Sequence, residues 1–493
     1  MMRLRISIGL LALIPIMFGA ISAEQAIVQS STVQKSADSS LVLAQGPVAQ
    51  PQTQEDDRPT FFDGIRGIIG DSPAFDDNDA TESLVESLNR AEKAYKEIRR
   101  SNREAIRGMN RQVRVGTARQ SPHIVVITVP QLRFDQLTSM NRLSGIRNSG
   151  MTFTNYYAPA DNLTSSRWSY LTGNLAAKSP AEGRLNRKES LAESLWQAGY
   201  ETTLIGTWAS NQHPVELGYD HWTGFPSSSG VVARYPEFFF TQTTRAKIMS
   251  DSDSKQATSH QLITDEVTSF LKRHQRSSRQ FYLHVGIPFL QGVKSKENIQ
   301  EVDKAIGQIV DSLNTLGLAG RVCLIVTGET SHQIAADVDK NLPVVDEKLA
   351  YSKSGTNEGN LRTPLIVFWA GKAKRGSISD FPCTGVDLLP TLMNVAAARK
   401  TPQGIDGISL ISEIQGGEQD IERLLYWKMK DGGQVARRGR WKVILKGGEK
   451  QLELYDLKND PSESTNVAKK HPDIVDSFIV DSKPQQPVDS QTL

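Results

Sequence analysis

Residues 123–129 read HIVVITV, an uninterrupted run that is almost entirely apolar and mostly β-branched. A run of this kind predicts a β-strand that is buried on both faces. Four later segments share its character: ETTLIGTW (201–208), QFYLHVGI (280–287), VCLIVTG (322–328) and PLIVFWA (364–370). Segments with helical periodicity lie between or beside them, at 137–148, 188–198, 259–274, 297–316 and 386–397. The alternation predicts an α/β fold with a mostly parallel, mixed central sheet and helices on both faces.

The loops after these strands are where functional side chains are expected, because ligands of open α/β sheets bind beyond the carboxyl ends of the strands. These loops are 129–135, 207–211, 288–291 and 327–332. Nearer the carboxyl terminus the pattern changes. The segments LLYWKM, QVARRGRWKVILK and ELYDL read as short strands, with turn-like stretches such as GGEK between or after them. We predict an α/β domain over 122–415 and a small antiparallel subdomain over 416–480.

Bulk composition narrows the class of protein. The chain has 493 residues, of which 38% are hydrophobic, so part of its length is expected to be polar and unfolded. The formal net charge of +2 gives no field that would draw nucleic acid to the whole molecule, and we predict no nucleic-acid partner. The two cysteines, Cys323 and Cys383, make neither a disulfide framework nor a zinc site. They are either two buried small side chains or one disulfide.

The amino-terminal residues have the layout of a secretory signal peptide. Two arginines precede a short apolar run, and small residues follow it. We predict cleavage and export to a periplasmic, cell-envelope or extracellular location, with no transmembrane span in the mature protein. The flanking segments are predicted to be a signal peptide (1–23), a disordered polar tether (24–60), an amphipathic helical linker region (61–121) and a flexible tail (481–493).

Several longer segments follow one another in a distinctive order. After HIVVITV come SGMTFTNYYAPADNLTSSRWSYLTGN, AESLWQAGYETTLIGTW, ELGYDHWTGF, VDKAIGQIVDSLNTLGL, NEGNLRTPLIVFWAGKAKRGS, GVDLLPTLMNVA and ELYDLKNDPSESTNVAKKHPDI. In this order, over about residues 122–470, they resemble the sulfatase family of the alkaline-phosphatase-like superfamily. The resemblance implies the fold of a sulfuric ester hydrolase.

The resemblance also implies an unusual nucleophile. In the family's Cys/Ser-x-Pro-Ser-Arg motif, the first residue is oxidised to formylglycine. Its hydrated form attacks sulfur while a calcium ion polarises the sulfate. Anchoring the motif on Ser166 and Arg167 places Ser165 at the proline and Leu163 at the nucleophile. Leucine has no heteroatom to oxidise or deprotonate, so formylglycine cannot form at this position.

The calcium ligands that the resemblance implies are mostly replaced. Calcium takes about six to eight oxygens, largely from carboxylates and carbonyls. The family's Asp-Asp pair after the first strand falls on Pro130 and Gln131, and its second acidic pair falls on Glu329 and Thr330. One carboxylate and one amide carry too little charge to hold Ca²⁺ tightly. Calcium is expected for the family but predicted to be lost here, and we expect no cofactor.

The cations that would bind sulfate are mostly absent as well. The family's Gly-Lys-Trp-His reads Gly-Thr-Trp-Ala at 206–209, and Phe289 stands where a histidine is expected. Arg167 and Lys353 are the two cations that persist. We therefore predict no intact catalytic or metal residues, only a vestigial site that comprises Leu163, Thr164, Arg167, Lys353, Pro130, Gln131, Glu329 and Thr330.

The sequence thus predicts a catalytically degenerate sulfatase-like protein, a pseudoenzyme that acts in binding or scaffolding. Two arrangements of the vestigial site stay open. Arg167 and Lys353 form a cationic pocket that binds a sulfated or anionic glycan weakly, or Arg167 pairs with Glu329 and fills the cavity. The alternative function is a divergent hydrolase of sulfate or phosphate esters that uses Thr164 or a neighbouring serine, activated by a base or a metal.

Overall fold

The computed structural model describes residues 121–179, 185–208, 212–227, 229–241, 245–247, 256–330, 349, 355–417, 422–429, 432–446 and 452–481. The chain divides into two compact units, one of 1–103 with 240–247 and one of 104–239 with 248–493. The described part of the first unit is limited to 240–241 and 245–247. The predictions for 1–23, 24–60 and all but the last residue of 61–121 lie outside the described residues.

The described strands follow the predicted segments closely, and the five long apolar runs correspond to β1, β4, β9, β11 and β12. Their bounds are β1 (His123–Val129), β2 (Met151–Phe153), β3 (Tyr156–Tyr157), β4 (Glu201–Trp208), β5 (His221–Pro226), β6 (Val231–Val232), β7 (Phe238–Thr241), β8 (Arg245–Lys247), β9 (Phe281–Gly286), β10 (Phe289–Leu290), β11 (Val322–Gly328), β12 (Leu365–Trp369), β13 (Ser377–Ser379), β14 (Cys383–Thr384), β15 (Leu424–Lys428), β16 (Gln434–Arg438), β17 (Trp441–Leu445) and β18 (Leu452–Asp456).

The central sheet is mixed and mostly parallel, which confirms the predicted fold class. Its order is β13-β2-β12-β11-β1-β9-β4-β5-β7. Strand β1 is parallel to both β9 and β11, and β4 is parallel to both β5 and β9. Strand β12 is antiparallel to β11 and β2. The carboxyl ends of β1, β4, β9 and β11 therefore meet at one edge of the sheet.

Helices cover both faces of this sheet. Helices α1, α4 and α5 pack together on one side, and α2, α3 and α7 pack together on the other. Helix α1 begins later than the predicted 137–148 because a 3₁₀ helix, Phe134–Ser139, precedes it. The bounds are α1 (Asn141–Ser149), α2 (Leu163–Thr172), α3 (Leu191–Gln197), α4 (Ser259–His274), α5 (Ser295–Thr315), α6 (Glu358–Leu361), α7 (Leu388–Val395), α8 (Ile411–Ile414) and α9 (Pro472–Asp481).

Strand β1 shows why the apolar runs form the core. All seven of its residues are buried. Val125, Ile127 and Val129 belong to the core on the side of α1, α4 and α5, and the residues between them face the other layer. Helix α5 contributes an apolar stripe at helical spacing, which includes Ile299, Val302, Ile306, Ile309 and Leu313. Each such side chain stabilises the fold by roughly 1.5–3 kcal/mol when fully buried.

The carboxyl-terminal sheet is antiparallel and four-stranded, in the order β15-β16-β17-β18. The segment QVARRGRWKVILK, expected as one strand, forms two. Gly439 between them adopts a left-handed conformation with φ of 53°, which a glycine takes at little cost, and the chain reverses there. One face of this sheet packs on Tyr157 and Leu361, and the other packs on α9 through Phe478.

Three further predictions concern the cysteines, the carboxyl-terminal tail and the domain boundary. Cys323 and Cys383 are both buried and unpaired, so the two cysteines are separate small core residues and the disulfide does not form. Helix α9 extends to Asp481, the first residue of the segment predicted as a tail, and 482–493 lie outside the described residues. The domain boundary at 415–416 stays a prediction. Within the described ranges, no helix combines the length and apolar character needed to cross a bilayer.

Candidate functional site

The vestigial site lies at the edge of the sheet where β1 and β11 end. Pro130 follows β1, and Glu329 and Thr330 follow β11. The backbone N–H of Glu329 donates to the carbonyl of Val129 at 3.0 Å, and that of Thr330 donates to the carbonyl of Pro130 at 3.0 Å. The Thr330 hydroxyl donates to the same carbonyl of Pro130 at 2.5 Å. These bonds continue the parallel pairing beyond the strands and hold the two loops side by side.

Helix α2 brings the second half of the site to this edge. The Oδ1 atom of Asn162 accepts a hydrogen bond from the backbone N–H of Ser165 at 2.9 Å, so Asn162 caps the start of the helix. The helix ends at Gly173, whose φ of 71° lies in the left-handed region. Leu163 is the first residue of α2, and Arg167 stands one turn further on the same face.

Arg167 forms a bidentate ion pair with Glu329. Its Nε lies 2.9 Å from Oε1, and its Nη2 lies 2.5 Å from Oε2. The two side chains are 2% and 3% exposed, and the guanidinium lies 5.2 Å from the centre of the Trp208 ring. Both carboxylate oxygens of Glu329 therefore accept hydrogen bonds from a cation that is buried beside them. Of the two arrangements left open by the sequence, the structure shows this ion pair.

Little space is left beside the pair. The cavity bounded by Ser166, Tyr170 and Glu329 has a volume of about 10 Å³. That is about the volume needed to admit one water molecule, and a sulfate group is much larger. Lys353 lies outside the described residues, so its convergence with Arg167 stays a prediction. The cavity beside Glu329 therefore admits no sulfate group.

Apolar groups occupy the positions that the resemblance assigns to the nucleophile and to a metal ligand. Gly230, with φ of 72°, passes so close that an added Cβ would overlap the ring of Pro130 and lie 3.2 Å from Cδ2 of Leu163. The loop that carries Gly230 is held down by a hydrogen bond from the backbone N–H of Phe289 to the Gly230 carbonyl at 3.1 Å. Phe289, which stands at a histidine position of the family, is itself buried. Pro130, Leu163 and Phe289 are therefore neighbours of one glycine.

The donor set of the described residues does not fit calcium. Pro130 offers only its carbonyl, which accepts from Thr330, and both oxygens of Glu329 accept from Arg167. Gln131 is half-buried and supplies a neutral amide. Among the described residues, no group of three or more His, Cys, Asp or Glu side chains is placed to hold a metal. A cation that requires several carboxylate and carbonyl oxygens finds too few free ones here.

In the part of the chain that the structure describes, the hydroxyl groups proposed as alternative nucleophiles have no activating partner. Thr164 is exposed, Ser165 is half-buried, and the hydroxyl of Ser166 donates to the carbonyl of Ala160 at 3.0 Å. Within the described ranges, no hydrogen bond joins any of the three hydroxyls to a histidine or a carboxylate. A hydroxyl nucleophile requires such a base or a metal.

A buried polar network beneath Arg167 was not expected from the sequence. The ring of His284 contacts the Thr128 hydroxyl at 3.0 Å and the Tyr219 hydroxyl at 2.9 Å. The hydroxyls of Tyr170 and Tyr282 lie 2.7 Å apart. Burial, assisted by the charge of Arg167, holds the pKa of His284 well below its usual range. His284 is thus a neutral core residue, shielded from solvent, and is no candidate general base.

A second cluster of buried charges lies where the carboxyl-terminal sheet meets the α/β domain. We call it the junction cluster. Lys442 is fully buried, and its Nζ lies 3.0 Å from Oε1 of Glu358 and 2.8 Å from Oε1 of Glu463. The hydroxyl of Tyr157 donates to Oε2 of Glu358 at 2.8 Å and accepts from Arg437. No role was predicted for these residues from the sequence.

The chain matches two family models and is similar to several known proteins. A family model described as Sulfatase matches residues 122–287, and one described as N-sulphoglucosamine sulphohydrolase, C-terminal, matches residues 346–478. The chain is 23% identical over 363 residues to N-acetylgalactosamine-6-sulfatase of Canis lupus familiaris, covering 63% of this chain and 69% of that protein. It is 22% identical over 441 residues to arylsulfatase G of Rattus norvegicus, covering 71% and 84%.

Solved structures share the fold. The crystal structure of Ps i-CgsB in complex with k-i-k-neocarrahexaose matches with a TM-score of 0.63 and 18% identity, covering 73% of this chain and 92% of that one. The structure of BT4656 in complex with its substrate D-glucosamine-2-N,6-O-disulfate matches with a TM-score of 0.59 and 16% identity, covering 75% and 100%. At this level of identity the likeness establishes the fold alone.

Proposed function

This chain belongs to the sulfatase family, and from that premise we propose that it is an exported pseudoenzyme that binds sulfated or other anionic glycans without hydrolysing them. The observation that carries the proposed lack of hydrolysis is the Arg167–Glu329 ion pair beside Leu163. Arg167 and Glu329 neutralise one another, and the nucleophile position that the resemblance implies holds a hydrocarbon side chain.

Hydrolysis of a sulfate ester requires two things that these residues do not supply. One is an attacking oxygen, and the other is positive charge held ready for the oxygens of the sulfate in the transition state. Leu163 cannot supply the first. Arg167 cannot supply the second while both oxygens of Glu329 occupy its guanidinium. Neither deficiency is repaired by Thr164, Ser165 or Ser166.

The proposed ligand class and location rest on separate grounds. Two of the structures that share the fold are complexes with k-i-k-neocarrahexaose and with D-glucosamine-2-N,6-O-disulfate, so a sulfated saccharide is the first ligand class to test on this chain. Export rests on the signal-like residues 1–23. A hydrolase that uses Thr164 or a neighbouring serine is the competing outcome of the test.

We expect saturable binding of a sulfated disaccharide and no loss of its sulfate. The purified protein is titrated with a heparin-derived disaccharide by calorimetry, and the same mixture is analysed by mass spectrometry after a day. The desulfated disaccharide is the control ligand, and Thr164→Ala is the control variant. Desulfated product that disappears in Thr164→Ala would establish the hydrolase, and equal affinity for both disaccharides would refute recognition of the sulfate.

A further inference from the structure

A second cavity, of about 320 Å³, lies between the residues that precede β12 and the turn between β16 and β17. Pockets that bind small molecules have volumes of about 300–1,000 Å³, so this cavity is large enough for a saccharide unit or a small anion. We call it the junction pocket. Its charged lining residues are Arg362, Arg437, Arg440, Lys458, Glu358 and Asp380.

Arg437 is the most buried cation of the junction pocket, at 6% exposed. Its guanidinium donates to the Tyr157 hydroxyl and, through Nε, to the carbonyl of Gly439 at 3.2 Å. It forms no ion pair with a carboxylate of the described residues. Burial lowers its pKa to about 10, so it keeps its charge at neutral pH. A buried guanidinium held only by neutral oxygens favours an anion in the adjacent space.

Arg362 supplies a second cation of the same kind. Its Nη2 donates to the carbonyl of Thr154 at 2.5 Å, and its guanidinium lies 4.5 Å from the centre of the Phe134 ring. Its Nε is buried and has no hydrogen-bond partner among the described residues. The backbone carbonyl and the aromatic ring orient the guanidinium, and no carboxylate of the described ranges pairs with it.

The remaining charges of the pocket favour an anion as well. Arg440 is paired with Asp456 at 2.6 Å, and Glu358 is paired with Lys442 and with the Tyr157 hydroxyl. Lys458 and Asp380 are exposed at the rim. Once the paired Arg440 and Glu358 are set aside, the three cations Arg362, Arg437 and Lys458 face the single carboxylate of Asp380.

We propose that the junction pocket, rather than the vestigial site, binds an oxyanion such as the sulfate or phosphate group of a saccharide. The inference builds on the proposed binding function and gives it a location. Guanidinium groups recognise tetrahedral and planar oxyanions through paired hydrogen bonds, and Arg362 and Arg437 present such groups in one cavity. The cavity of about 10 Å³ that is bounded by Ser166, Tyr170 and Glu329 is too small for this role.

The test measures the affinity of the full chain for three probes: inorganic sulfate, inorganic phosphate and a heparin-derived disaccharide. Arg362→Gln is expected to weaken binding about tenfold or more, because a hydrogen-bonded charge contributes about 1.5–3 kcal/mol. Arg438→Gln is the matched control, since Arg438 is also half-buried and lies 5.4 Å from the centre of the Phe478 ring, away from the pocket. It should leave the affinity unchanged.

Two rim variants keep the test valid if Arg362→Gln does not fold. Asp380→Asn removes a negative charge from the rim and should strengthen binding up to about fivefold at low salt. Lys458→Gln should weaken it by a similar factor, whereas Lys469→Gln, an exposed lysine of the same subdomain outside the pocket lining, should not.

The outcomes separate this proposal from the proposed function. Binding of the disaccharide that none of these variants alters would overturn the junction pocket and leave the binding function standing. Failure of all three probes to bind at millimolar concentration would overturn the pocket. Binding of the disaccharide that these variants alter, without binding of the inorganic anions, would support the junction pocket. It would also show that the ligand is an anionic group carried by a saccharide.

Discussion

Replacing Glu329 with leucine is expected to lower the free energy of unfolding by about 3–5 kcal/mol. The substitution leaves the Arg167 guanidinium charged and buried, with its bidentate partner removed. Among the described residues, the guanidinium also contacts the Trp208 ring, and a cation–π contact contributes only about 0.5–2 kcal/mol. Equilibrium unfolding in urea at neutral pH measures the loss.

The control for this prediction is the double variant Arg167→Met/Glu329→Leu. Replacing a whole buried ion pair with apolar groups of similar size is often neutral or stabilising, so the double variant should be more stable than Glu329→Leu alone. The two effects should be strongly non-additive, as expected for side chains in contact. A Glu329→Leu variant that loses less than about 1 kcal/mol would show that the ion pair does not hold the site together, and additive losses would lead to the same conclusion.

The second large loss in the free energy of unfolding is expected at the junction cluster. Replacing Lys442 with methionine removes the one cation that lies between Glu358 and Glu463, and leaves two carboxylates in a buried space. We expect a loss of about 3–5 kcal/mol in the free energy of unfolding, because uncompensated buried charges are costly. Lys446→Met is the matched control, since Lys446 pairs with Glu453 near the surface and should lose no more than about 1 kcal/mol.

The loss of stability caused by Lys442→Met should depend on pH. Burial raises the pKa of Glu463 above its ordinary value of 4.5, even though Lys442 acts in the opposite direction. A carboxyl whose pKa is higher in the folded state contributes its full stability below pH 4.5, and the contribution is lost as the pH rises through the folded-state pKa. Removing Lys442 raises that pKa further. The loss caused by Lys442→Met should therefore shrink as the pH falls towards 4.5, and a pH-independent loss would contradict the assignment.

The fold could be predicted from the sequence because the patterns that indicate its strands and helices are local. The apolar runs at β1, β4 and β11 match the strands residue for residue, and α4 begins and ends where its pattern predicted. Each of these elements is buried over most of its length, so composition and periodicity agree with tertiary packing. The β16–β17 hairpin was missed because its turn consists of two residues, Gly439 and Arg440, inside an otherwise continuous strand-like segment.

The site was predictable only in part. Matching the family's motifs to this sequence assigned Leu163 and Pro130 to the site. It offered the Arg167–Glu329 pair as one of two arrangements but could not choose between them. The choice depends on how two residues 162 positions apart approach across the sheet. The junction cluster gave one weak signal, the charge of Lys442 within the apolar strand WKVIL, and its partners lie far away in the chain. Long-range pairing of buried charges follows from the fold and not from local pattern.

Sulfate release by the purified full chain is the sharpest test of the proposed lack of hydrolysis. The protein is incubated with an aryl sulfate and with phosphate mono- and diesters, with and without millimolar calcium, beside an active arylsulfatase as positive control. We predict release no faster than in protein-free buffer under every condition, because Leu163 supplies no attacking oxygen and Arg167 is bound to Glu329. Turnover that requires added divalent ions, or that is abolished by Arg167→Ala or Thr164→Ala, would contradict the account.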